Sequence, residues 1–121
     1  MPFDKKIAAS FKVIGIHNCA WSATPYLEYY SEIHGVAYID MGIDSDMEKA
    51  HTLFPETRRA IMYTPMDIAN KSCSEFQSDL EKIAKYYGPC DIVAADIEAG
   101  TPDSKVMDFI ELCDKTSKIF E

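Results

Sequence analysis

KVIGIHNC, residues 12–19, is the stretch on which the fold turns. A short apolar, β-branched run ends abruptly on three polar side chains, His17, Asn18 and Cys19. The same design returns three times: VAYIDM (36–41) before Gly42-Ile43-Asp44, AIMYT (60–64) before Pro65-Met66-Asp67, and DIVAA (91–95) before Asp96-Ile97-Glu98. Each run has the length and composition of a strand buried in a parallel sheet.

A helical pattern follows every run. Thr24-Pro25 reads as a cap and first helical residue, with Leu27, Tyr30 and Ile33 inward and Gly35 as the stop. Ser45 or Asp46 caps a short helix that buries Met47, Ala50, Leu53 and Phe54 and closes at Pro55. Ser72 and Glu75 form a capping box ahead of Phe76, Leu80, Ile83 and Tyr87, and Gly88-Pro89 ends that helix. Thr101-Pro102 repeats the cap-and-proline start before Val106, Phe109, Ile110 and Cys113. One more short helix, from about Asp4 to Phe11, precedes the first run, with Phe3, Ile7 and Phe11 on one side.

Four strand–helix units imply an α/β fold with a parallel sheet and right-handed crossovers. Two architectures satisfy the pattern. One is half of a (β/α)8 barrel of the TIM type, with every helix outside. The other is a small, doubly wound open sheet with helices on both faces. The length of 121 residues allows one such domain, residues 1–121, and not two.

Composition narrows the function classes. The net charge of −8, spread along the chain, argues against a nucleic-acid or anionic-membrane surface. No apolar run approaches the roughly 20 residues that span a bilayer. The first eleven residues are charged and amphipathic, unlike the apolar core of a signal peptide, so the expected location is the cytoplasm. Cys19, Cys73, Cys90 and Cys113 have the wide, irregular spacing of free thiols, with no disulfide framework.

Ligands of parallel α/β sheets bind at the C-terminal strand ends. Here those ends carry His17 and Cys19, then Asp40 and Asp44, then Tyr63 and Asp67, then Asp96 and Glu98. The opposite ends carry Lys12, Arg58, Arg59 and Cys90, as a supporting rim would. His17 and Cys19 are two residues apart, so on a strand or its extension they point to one side. Imidazole nitrogen and thiolate sulfur are donors that zinc prefers, and a third ligand is expected from Asp96 or Glu98. Asp40 is a candidate for a substrate hydroxyl or for loop backbone. Trp21 is placed to wall the same site. Asp67 is a candidate contact, with a cap after Pro65 as the alternative.

Several of these stretches resemble a family. Ile16-His17-Asn18-Cys19, Tyr38-Ile39-Asp40, Asp91-Ile92-Val93 and Gly100-Thr101-Pro102-Asp103 are similar to the last four strand–helix units of the uroporphyrinogen decarboxylase and corrinoid methyltransferase superfamily. The resemblance runs from about Asp4 to Ile119 and covers the C-terminal half of those barrels. It implies zinc at His17 and Cys19, activating a thiol or pterin acceptor for methyl transfer from a corrinoid, itself carried by a partner protein. The methyltransferases take a third zinc ligand from a cysteine at the last strand. This chain has Ala95 there, beside Asp96. The decarboxylase branch implies a metal-free lyase, with Asp40 and Tyr63 lining a pocket for a porphyrinogen or other organic acid; its first-half residues have no match here. A third reading is a non-catalytic assembly module.

Four strands covered on one face leave the other face bare. Residues such as Ile14, Ile39 and Ile61, or their neighbours, would line it and meet water. The expected remedy is self-association, as a homodimer, or pairing with a separate N-terminal half-barrel chain.

Overall fold

The computed structural model describes residues 2–94 and 96–120. Helix α1 (Pro2–Ala9) leads into strand β1 (Ile14–Ile16). A single 3-10 turn over Thr24–Tyr26 opens helix α2 (Leu27–Ser31), followed by β2 (Val36–Gly42), α3 (Met47–Leu53) and β3 (Arg58–Tyr63). Helix α4 (Pro65–Asn70), helix α5 (Cys73–Tyr87), β4 (Asp91–Ala94) and α6 (Asp103–Ile119) complete the order. Ala95, expected as the last residue of the fourth strand, lies outside the described residues. The chain is therefore α/β, with one sheet in the order β1-β2-β3-β4 and every pair parallel.

Caps account for the helix starts. Ser72 and Glu75 exchange both bonds of the expected capping box. The Asp46 carboxylate accepts from the Lys49 amide and caps α3. Thr64 accepts from the Asp67 amide and starts α4, a helix for which the sequence reading had no place. At Thr24 and Thr101 the expected caps do not form: Thr24 Oγ1 accepts from the Asp46 amide across the chain, and Pro102 occupies the cap position of α6.

Registered neighbours in a parallel sheet share a face. One face carries Ile16, Ile39, Met41, Arg59, Ile61, Tyr63, Ile92 and Ala94. Both hydrophobic clusters form there. Ile39, Met41 and Ile61 meet Leu27 of α2, Met47 and Ala50 of α3, and Ile83 and Tyr87 of α5. Tyr63 meets Ile68 of α4, Phe76 and Leu80 of α5, and Phe109 of α6. Arg59 is buried in the same layer, beyond the ends of α3 and α5. Its guanidinium donates to the carbonyls of Phe54, Pro55, Tyr87 and Pro89 and lies over the Tyr87 ring.

The other face carries Gly15, Tyr38, Asp40, Arg58, Ala60, Met62, Asp91 and Val93. This corrects the expectation for Ile39 and Ile61, which are fully buried beneath the helices. Their neighbours face the other way, because a shift of one residue moves a whole strand to the opposite side. The second face is consequently polar in large part, with Arg58 paired to Asp91 at 2.7 Å. The exposed large apolar residues lie mainly at the two sheet edges instead: Phe3, Ile7, Phe11 and Val13 beside β1, and Ile97, Met107, Ile110 and Phe120 beside β4. No helix among the described residues is long and apolar enough to cross a membrane.

Candidate functional site around His17 and Asp40

Asp40 leaves the middle of the sheet on its polar face, and its side chain is only 2% exposed. A carboxylate in that position must have its lone pairs filled. Four donors fill them. Oδ1 accepts from the amides of Asn18 and Cys19 at 2.8 and 3.1 Å. Oδ2 accepts from His17 Nδ1 at 2.6 Å and from the Tyr38 hydroxyl at 3.1 Å. Every partner is a donor, so Asp40 acts as an acceptor only and the proton of the neutral imidazole sits on Nδ1. The His17 side chain is 64% exposed, and its Nε2 is left as the basic nitrogen. Burial first, then donation to Asp40, pushes the Tyr38 hydroxyl up to about 12, so it remains a donor across the ordinary pH range.

The turn carrying these groups is fixed from several sides. Asn18 Nδ2 donates to the Asp40 carbonyl, and Asn18 Oδ1 accepts from the Tyr30 hydroxyl of α2, both at 2.8 Å. The Gly42 amide donates to the Trp21 carbonyl at 2.9 Å. A β-carbon on Gly42 would stand 2.0 Å from the Ala20 carbonyl oxygen, so the turn crosses β2 where only glycine admits it. Cys19 has φ +55°, a left-handed conformation that a β-carbon disfavours. The alternation of a strand therefore stops before Cys19, and the i, i+2 argument that placed its thiol beside the imidazole lapses; what joins the two residues is their common tie to Asp40.

No protein-family model matches the chain, and no curated protein matches it in sequence. The assignment of chemistry thus falls to the residues themselves. The His17 imidazole and the Cys19 backbone amide both meet the Asp40 carboxylate. Asp96 and Glu98 are exposed in the loop after β4. That strand lies three strand spacings from β1, roughly 14 Å across the sheet. Among the described residues no group of three His, Cys, Asp or Glu side chains converges on a metal-sized space. Neither Asp96 nor Glu98, expected to supply the third ligand, is grouped with His17 among the described residues.

Other expected contacts are displaced. Tyr63 is 1% exposed on the helix-covered face, stacked on Phe109 at 5.1 Å, and its hydroxyl donates to Asp79. It is a core residue turned away from the polar face. Asp67 stands in the first turn of α4, 3.7 Å from Lys71. Trp21, in the same turn, has 80% of its surface exposed. Tyr38 and Asn18 were missed as functional residues. For Tyr38 a signal existed, since it lies two residues before Asp40 on one strand and must share its face.

Proposed function

We propose that this chain is the C-terminal half of a (β/α)8 barrel of the uroporphyrinogen decarboxylase and corrinoid methyltransferase type, and that His17 and Cys19 hold zinc at its polar strand ends. Two features support the half barrel: the sequential strand order, and hydrophobic clusters confined to one face of the sheet. A right-handed crossover repeated in one direction lays successive helices on the same side. The single observation that carries the site is the bond from His17 Nδ1–H to buried Asp40. A carboxylate on the far nitrogen sets the tautomer and orients the ring, as it does behind metal-bound histidines. The left-handed backbone at Cys19 is a second support: glycine would sit there without strain, yet the chain keeps a thiol.

In this reading the exposed His17 imidazole and the exposed Cys19 thiol would supply two zinc ligands, and the completing half of the barrel would bring the remaining donor. Zinc held there would lower the pKa of an acceptor thiol and so favour its attack on a corrinoid-bound methyl group, the corrinoid arriving on a partner protein. Asp40 holds the imidazole, Tyr38 holds Asp40, and Asn18 ties the turn to α2.

The test is zinc retention. Protein equilibrated with zinc and then desalted should keep a near-stoichiometric amount, His17→Ala and Cys19→Ser should lose it, and Asp40→Asn should weaken it by about 10- to 100-fold. Absence of zinc from the parent protein, or retention unchanged in both ligand variants, overturns the proposal. The His17–Asp40 bond also favours one second reading, a metal-free lyase in which that pair moves a proton at Nε2. Binding of a porphyrinogen-like polycarboxylate by zinc-free protein would support it.

A further inference from the structure

The apolar surface left exposed is gathered at the two edges of the sheet, and the two edges complement each other. On the β1 side, Phe3, Ile7 and Phe11 are spaced four residues apart and are 75%, 59% and 63% exposed, with Val13 beside them. On the β4 side, a groove runs between β4 and α6, with a volume of about 460 Å³ in one lobe and 540 Å³ in the other. Cys90, Ile92 and Cys113 line both lobes, and Ile110 and Phe120 lie at the rims. The charges are opposed as well. Residues 1–13 carry three lysines against one aspartate, whereas residues 96–120 carry six acidic residues against three lysines. Both outer strands also present hydrogen-bonding edges without a partner strand among the described residues.

We infer that a second copy of this chain docks with its α1 stripe in the β4–α6 groove, bringing its β1 edge beside β4, and that a two-fold axis along the strands repeats the contact. The inference rests on the half-barrel reading and names what completes it. One operation then uses both edges of both copies and keeps all strands parallel. Burying the two apolar patches of each copy removes roughly 1,500 Å² in total, within the range of stable interfaces. The arrangement also turns the polar faces of the two sheets, with both His17–Asp40 pairs, toward a common interior.

Light scattering on the full chain at micromolar concentration should give twice its 13.7 kDa mass. Phe3→Glu with Ile7→Glu should return it to 13.7 kDa with an unchanged circular dichroism spectrum, because both side chains are exposed. Under mild oxidation Ile7→Cys should give a covalent dimer, lost when Cys90 and Cys113 are both changed to serine. A monomeric parent overturns the inference, as does a dimer indifferent to the double glutamate variant and to Ile7→Cys. Zinc content read on the same samples keeps the two proposals apart. A monomer that retains zinc through His17 sinks the docking alone, and a cross-linked dimer that never holds zinc sinks the metal site alone.

Discussion

At the scale of single residues, Asp40 is the organising group, because one buried carboxylate ties together a strand, a turn and an imidazole. Cys19 is the strained one. Replacing it with glycine relieves a left-handed β-carbon at a cost in chain entropy, so Cys19→Gly should leave stability unchanged or raise it by up to about 1 kcal/mol in urea denaturation. A marked loss would mean that the thiol packs structurally. The tyrosines set an alkaline limit. Burial, and then the bond to Asp40, raises Tyr38 to about 12; burial, and then the bond to Asp79, raises Tyr63; burial raises Tyr87 in the same direction. The folded chain keeps these protons where the unfolded chain, titrating near 10, gives them up. Their contribution is fully present below pH about 10 and is lost as pH rises through the folded values. Phenolate absorbance should therefore lag behind that of free tyrosine, and Tyr38→Phe should remove part of the lag. An ordinary titration in the native protein would contradict the burial of these rings.

At the scale of elements, Arg59 joins the end of α3 to the end of α5 by donating to carbonyls of both connections. Arg59→Leu leaves those buried acceptors unfilled and should cost about 3 kcal/mol or more in urea denaturation. A loss under 1 kcal/mol would show that water replaces the guanidinium. The sequence made these elements legible unevenly. The apolar runs at residues 36–41 and 91–95 located β2 and β4 closely, and Ser72 with Glu75 marked the start of α5, because capping and periodicity are local physics. Helix α4 was missed although Thr64-Pro65 repeats the signal read elsewhere as a helix start; the strand end before it drew the same residues into a loop. Strand faces were not legible. VAYIDM and AIMYT are apolar at both parities, so periodicity cannot tell Ile39 from Tyr38, and only packing against α3 and α5 decides. Of the site, His17 and Asp40 were readable as polar strand ends. Their mutual bond was not, since it depends on how the turn crosses β2 above Gly42.

At the scale of the whole molecule, the helices that supply the two clusters sit on one side of the sheet, and the polar side is where the candidate site opens. The greasy surface left over has moved to the margins, so association is expected there rather than across the open face. Because α1 and α6 stand at opposite margins, the two-fold docking proposed above would set the end of one polypeptide close to the start of the next. A gene encoding the sequence twice in tandem, joined by about ten flexible residues, would bridge the roughly 12 Å length of α1. That product should fold as a single soluble polypeptide whose melting point no longer depends on protein concentration, whereas the separate chains should melt higher as they are concentrated. Under the docking proposed above, duplication would join the two molecules into one continuous chain.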